Sequence, residues 1–299
     1  MRHSRVVAAC PRGGVVSTRP PAGRRPRPQR ATPAGRRVLV VLIPILAIII
    51  AVIAVVALTR GGGDAPVATA PTTTDVLLVE GLRRTEMADV VQAKTGIPAA
   101  QYIAATDPSQ VGQTLAGTKK PTSLEGFLFP ATYPVDPKKP VSDLVNYQLR
   151  TYAERTAGIN YAYAKKHNLT KYDVLIMASI VEREASNQRD RRIIAGVFYN
   201  RLKLGMRIDS DVTVHYALGS WSKELTRADL NMASPYNTRR YHGLPPGPIC
   251  NPGLGAINAA ANPVRTPYLY FVASTSGKVF YAKTGAEFQQ AIAKAKANG

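Results

Sequence analysis

The sequence predicts an α+β protein carried on one membrane-crossing helix. Three observations predict it. Residues 38–58 form an apolar run without a polar side chain. The segments after it alternate short β-type runs with helix-length amphipathic ones. Two aromatic runs near the end are split by a Gly-containing turn. The chain has 299 residues, 45% of them hydrophobic and 19% charged, which supports a sizeable core and excludes wholesale disorder. Two cysteines cannot build a disulfide framework, and no Cys/His cluster has metal-ligand spacing, so no metal and no other cofactor is expected.

A formal charge of +20 invites a nucleic-acid reading, but the charge is unevenly placed. Residues 1–37 hold ten Arg, no Lys and no acid, whereas the rest holds 29 basic against 19 acidic side chains. Arg24, Arg25, Arg27 and Arg30 are interleaved with prolines, so residues 1–37 read as a disordered cytoplasmic tail beside anionic headgroups, not as a nucleic-acid binder. The 21 residues from 38 to 58 reach across a hydrocarbon core of about 30 Å at about 1.5 Å per residue. Pro44 is tolerable there. A cleaved signal peptide would have a shorter apolar core and a small-residue cleavage site. The Arg excess places the amino terminus in the cytoplasm and residues 59–299 outside it. Cys10 and Cys250 then lie on opposite sides of the membrane and cannot pair.

Residues 59–74 are Gly-, Ala-, Pro- and Thr-rich and read as a tether. A small βα module follows over 75–120. It has a strand over 76–79, a turn at Glu80-Gly81 and a helix over 84–94 with Met87, Val90 and Val91 on one stripe. A second helix begins at Ala99. The domain over 121–299 opens on a loop or edge strand at 123–134. Helices are expected over 141–156, 171–185 and 189–204, the last stopped by Gly205. Six prolines and four glycines make 234–263 an expected irregular surface. Residues 268–273 and 278–282 read as a hairpin and 287–296 as a closing helix.

The chemistry points first to LIMASIVEREA at 175–185. Glu182 sits beside an apolar ridge of Val174, Ala178, Val181 and Ala185. A carboxyl against such a wall resists ionisation, its pKa climbing from ~4.3 towards ~6, and becomes a proton donor near neutrality. Glu184, about 200° around the helix, is the rival. Both would also suit plain surface pairing with Arg183, Arg189 or Arg191, and periodicity does not choose. Asp209, Asp211 and His215 cluster in RIDSDVTVHYALG, as paired acids or as loop caps with a structural histidine. Tyr236, Asn237, Arg239, Arg240, Tyr241 and Asn251 project from a proline-stiffened backbone, where aromatic faces and amide forks suit an acetamido-sugar polymer or a protein partner. No G-x-S-x-G, H-E-x-x-H, P-loop or S-x-x-K motif is present, which leaves single-carboxylate glycosidic chemistry.

SLEGFLFPATY (123–133), ASIVEREA (178–185), VFYNRLKLGMRIDSDVTVHYALG (197–219), SPYNTRRYHGLPPGPICNPGLGAINAAANP (234–263) and YLYFV (268–272), in this order and spacing, resemble the endolytic murein transglycosylase family, the YceG-like or MltG group. The resemblance runs from about Val76 to the end. It implies a single-pass plasma-membrane enzyme with a LysM-like module at 75–120 and an α/β catalytic domain at 121–299. Such an enzyme cuts the MurNAc–GlcNAc bond of nascent peptidoglycan and leaves 1,6-anhydro-MurNAc ends. It also implies that the first glutamate of ASIVE-x-E, Glu182, is catalytic, and that Glu125, Asn200, Asp211, Tyr236 and Asn237 shape the glycan cleft. Ala131 stands where many members carry Asp and Val212 where Pro often follows, and only the tether precedes Val76 where members usually carry another module. The implied partners are glycan strands, membrane lipid and cell-wall synthases. The competing expectations are a lysozyme-like hydrolase, with Asp209 or Asp211 activating water, and an anchored scaffold that binds glycan without cutting.

Overall fold

The computed structural model describes residues 73–109, 121 and 123–298. The tail at 1–37, the apolar run at 38–58, nearly all of the tether and the end of the βα module lie outside them. Strand β1 (Thr74–Leu77) leads into helices α1 (Arg84–Thr95) and α2 (Ala99–Ala105). Strand β2 (Thr132–Val135), helix α3 (Ser142–Thr156) and the short α4 (Ala162–Lys166) follow. Helix α5 (Lys171–Glu184) starts at a reciprocal cap: the Thr170 hydroxyl accepts the Asp173 N–H at 3.1 Å, and the Asp173 carboxylate accepts the Thr170 N–H at 2.8 Å. Helix α6 (Gln188–Lys203) starts at Asn187, whose side chain accepts the Asp190 N–H. Then come α7 (Asp211–Leu218), α8 (Arg227–Leu230), α9 (Leu254–Ala261), strands β3 (Tyr270–Ala273) and β4 (Val279–Ala282), and α10 (Gly285–Ala297). The result is a mixed α+β architecture. No helix among the described residues is long and apolar enough to cross a membrane.

Helix α5 is the centre of the packing. Val174 to Val181 are all buried, so this helix is apolar around its whole circumference and is covered by α6 on one side and α9 on another. Each such Leu, Ile, Val or Met contributes about 1.5–3 kcal/mol when removed from water. The one polar side chain in the run, Ser179, is satisfied: its hydroxyl donates to the Ile176 carbonyl at 2.7 Å and accepts the Ile249 N–H at 2.9 Å. Helix α6 meets the chain at Val264 through Gly196, where a Cβ would collide with the Val264 carbonyl oxygen.

Two separate antiparallel ribbons complete the fold. β1 pairs with β2 in a register that sets Val76 opposite Tyr133, and β3 pairs with β4 with Phe271 opposite Tyr281 and α10 packed on them. Val76, Leu78, Met87 and Val91 therefore share one core with Leu124, Leu128 and Tyr133. The hydroxyl of Tyr102 on α2 donates to Gln148 on α3 at 2.8 Å.

The expected helices at 84–94, 141–156, 171–185, 189–204 and 287–296 lie within two residues of those observed. Strand β1 starts two residues earlier than expected, because its register is set by β2. The main correction concerns 234–263. Residues 234–247 are irregular and largely at the surface, as expected, with Arg240, Tyr241 and His242 exposed, but Asn237 is fully buried, and the rest of the segment buries Ile249, Cys250 and Asn251 completely and contains α9. Pro245, Pro248 and Pro252 are buried, and the alanines of α9 let it approach α5 and α6 closely.

Candidate active site

Three segments converge at the end of α5. Glu182 lies on the last turn, with its side chain only 5% exposed. The segment 249–253 runs alongside as a strap, tied to α5 by the Ile249 N–H on Ser179 and by the Cys250 thiol on the Ser179 carbonyl. At the strap's end the Gly253 N–H donates to Glu182 Oε2 at 3.0 Å. Arg191, on the first turn of α6, donates from Nη2 to Glu182 Oε1 at 2.5 Å, while its Nε is held by the Ala185 carbonyl at 3.3 Å. Burial pushes the Glu182 carboxyl above the ordinary glutamate range, the Arg191 charge and the Gly253 N–H hold it back, and Glu80 adds to the rise; the net direction is upward.

Glu80 comes from the turn between β1 and α1. That turn is zipped to the strap by the Gly81 N–H on the Asn251 carbonyl and the Asn251 N–H on the Leu82 carbonyl, both at 2.9 Å. The Glu80 carboxylate lies against Gly253, where a Cβ would overlap it, and its Oε2 is 3.6 Å from Arg191 Nη2. The side chain of Asn251 does not project into solvent. Its Oδ1 accepts the Gly126 and Leu128 N–H groups at 2.8 and 3.1 Å, and its Nδ2 donates to Glu125 Oε1 at 2.8 Å.

Glu125 is buried, also accepts the Arg84 N–H at the start of α1 at 2.9 Å, and is pushed up to about 8 by burial. It lines a cavity of about 350 Å³ together with Arg83, Arg84, Tyr216, Ser234 and Tyr236. The rings of Tyr216 and Tyr236 are 4.8 Å apart. Next to it, Trp221 carries the Arg83 and Arg183 guanidinium groups over its ring at 5.2 and 4.1 Å and donates its indole N–H to Glu86 at 3.1 Å.

The other sequence candidates are placed elsewhere. Asn200 donates its amide to the Thr266 and Tyr268 carbonyls at 2.8 and 2.9 Å, stapling that segment to α6. Asn237 is fully buried and donates to the Leu230 and Met232 carbonyls. Asp211 opens α7, is 56% exposed and pairs with Arg239 at 2.7 Å; Asp209 faces the same guanidinium at 3.6 Å. His215 is satisfied by the Ser220 carbonyl. Glu184 accepts the Ser210 hydroxyl at 2.6 Å and is pushed up to about 7 by burial. Glu182 and Glu125 thus both contact the 249–253 strap and Tyr236 lines the cavity beside Glu125, whereas Asn200, Asn237 and Asp211 bind the segments just named. The sequence reading passed over Glu80 and Trp221; the Glu-Gly turn and the single Trp of the chain were the available signals.

Residues 54–294 match the YceG-like family. An endolytic murein transglycosylase of Bacillus subtilis is 36% identical over 235 residues, covering 73% of this chain and 64% of that protein. One of Streptococcus pneumoniae is 33% identical over 263 residues, covering 79% of this chain and 47% of that protein. The crystal structure of a yceG-like protein from Listeria monocytogenes superimposes with a TM-score of 0.64 at 33% identity, covering 72% of this chain and 75% of that one. The matched part thus spans between about half and two thirds of the curated relatives' length. With four fifths of its length inside the family match and the ASIVE-x-E helix at the centre of its packing, the chain belongs to the YceG-like family.

Proposed function

We propose that this chain is an endolytic lytic transglycosylase that cuts the MurNAc–GlcNAc bond of nascent peptidoglycan strands and leaves 1,6-anhydro-MurNAc ends, terminating their elongation. The observation that carries this reading is Glu182. It is a nearly buried carboxyl of raised proton affinity at the junction of α5, α6 and the strap. The relatives named endolytic murein transglycosylase support the same reaction.

In this mechanism protonated Glu182 gives its proton to the departing glycosidic oxygen, which leaves as the 4-hydroxyl of GlcNAc. The C6 hydroxyl of MurNAc attacks C1, and the Glu182 carboxylate takes the proton that this hydroxyl releases. One bond breaks, one forms, no water is consumed, and Glu182 ends protonated again. Because the nucleophile belongs to the sugar, a second carboxylate is not required, unlike hydrolysis. The carboxylates suited to activating water, Asp209 and Asp211, face Arg239. Glu125 and Tyr236 would receive glycan in the cavity they line. Residues 38–58 would anchor the enzyme in the plasma membrane with the catalytic part outside, 75–120 would serve as the LysM-like module, and cell-wall synthases would be the natural partners of an enzyme that ends their strands.

Uncrosslinked glycan strands incubated with the protein and examined by mass spectrometry test the reading. Anhydro ends are expected, with Glu182→Gln slowing their formation by about 10²–10⁴-fold. Full activity in a folded Glu182→Gln variant would overturn it.

A further inference from the structure

We propose that Glu80, from the turn ahead of α1, completes the active site as a positioning residue by offering Arg191 a second carboxylate, so that Glu182 is free to carry a proton. The inference rests on Glu182 being the acid. Its basis is geometric: a single nitrogen, Arg191 Nη2, faces Glu182 Oε1 at 2.5 Å and Glu80 Oε2 at 3.6 Å. A small swing of the guanidinium transfers it from one carboxylate to the other.

Charge balance gives the arrangement its direction. With Arg191 and Glu182 alone, an ionised Glu182 makes a neutral pair, and protonating it would strand a positive charge beside a buried carboxyl. With Glu80 present, one cation serves two anions, and the cluster becomes neutral only when one carboxyl takes a proton. Glu80 is 48% exposed and Glu182 only 5%, so the cost of holding a charge away from water falls on Glu182, and the proton goes there. The remaining groups around Glu182 do not replace this effect. Arg183 on the same helix lies over Trp221 and near Gly81, the Cys250 thiol on the strap is buried and neutral, and Glu125 is reached only through Asn251. The turn is held by backbone hydrogen bonds of Gly81 and Leu82 to Asn251, not by the Glu80 side chain, so replacing that side chain leaves the turn in place.

The test is a titration of Glu182 in the full chain, carbon-13 labelled at the carboxyls of its eight glutamates, with the Glu182 resonance identified by its loss in Glu182→Gln. The two carboxylates are about 6 Å apart at most, since both oxygens contact the same nitrogen. Even under water-like screening, removing one unit charge at that distance moves a midpoint by about half a pH unit. Glu80→Gln should lower the Glu182 midpoint by at least that much, Arg191→Gln should raise it, and Glu80→Asp should restore much of the wild-type value. The alkaline limb of the pH profile for strand cleavage should move in the same directions. A Glu182 midpoint that is unchanged or raised in Glu80→Gln overturns the inference, whatever the cleavage assay gives. If wild type cuts no strand but the midpoint moves as stated, the functional reading fails while the charge coupling of Glu80 to Glu182 through Arg191 stands.

Discussion

Glu182 and Glu184 lie two residues apart on α5 and meet different surroundings. Glu182 contacts a guanidinium and a backbone N–H at the mouth of the strap, whereas Glu184 is sealed against Ser210 beside α7. Glu184→Gln keeps an oxygen for the Ser210 hydroxyl and should leave strand cleavage within about threefold of wild type, in contrast to the loss expected for Glu182→Gln. The buried acids also set a pH dependence of stability. Folded Glu125 and Glu184 keep their protons up to about 8 and about 7, while in the unfolded chain they ionise near the ordinary glutamate value of 4.5. Between those limits the unfolded chain has released protons that the folded chain retains, so stability falls as pH rises and levels off above about 8. Melting curves taken from about pH 5 to about pH 8 should fall less steeply for Glu125→Gln and Glu184→Gln than for wild type. Glu125→Ala is a different change. It leaves the Arg84 N–H and the Asn251 amide without their acceptor, and should cost about 1–3 kcal/mol and lower Tm by several degrees, read by circular dichroism.

At the level of elements, legibility followed physical cause. Helices α1, α3, α5 and α6 are expected within two residues of their observed ends, α1 from its Met87, Val90 and Val91 stripe and α6 from its stop at Gly205. Helices α7 and α9 are not. α9, LGAINAAA, has no polar face to create a period, because it is buried between α5 and α6, and α7 is only eight residues long. The strap was misread for a related reason. Prolines and asparagines look like surface until their polar groups are seen paired inside, as Asn251 is with Gly126, Leu128 and Glu125. The contact of α6 with the segment after α9 depends on Gly196, so Gly196→Ala should push the Val264 carbonyl away. A cost above about 1–3 kcal/mol is expected, visible as a marked fall in Tm.

Across the whole molecule, the proposed active site draws on residues far apart in sequence. Glu182 is singled out over Glu184 only by the resemblance of ASIVE-x-E to the family motif, and Glu80 and Arg191 become its neighbours only through the pairing of the 80–82 turn with the strap and the packing of α6 on α5. No local pattern encodes such contacts, and the family motifs that name Glu125, Asn200, Asp211, Tyr236 and Asn237 do not tell which of them face one another. Residues 38–58 belong to this scale as well. The full chain should sediment with membranes and resist carbonate extraction, and a chain lacking residues 1–58 should be released into the soluble fraction. The central claim, that one carboxyl serves a nucleophile belonging to the sugar, is tested most directly by cleaving glycan strands in oxygen-18 water. New ends free of the label are the predicted result, and labelled reducing ends would contradict it.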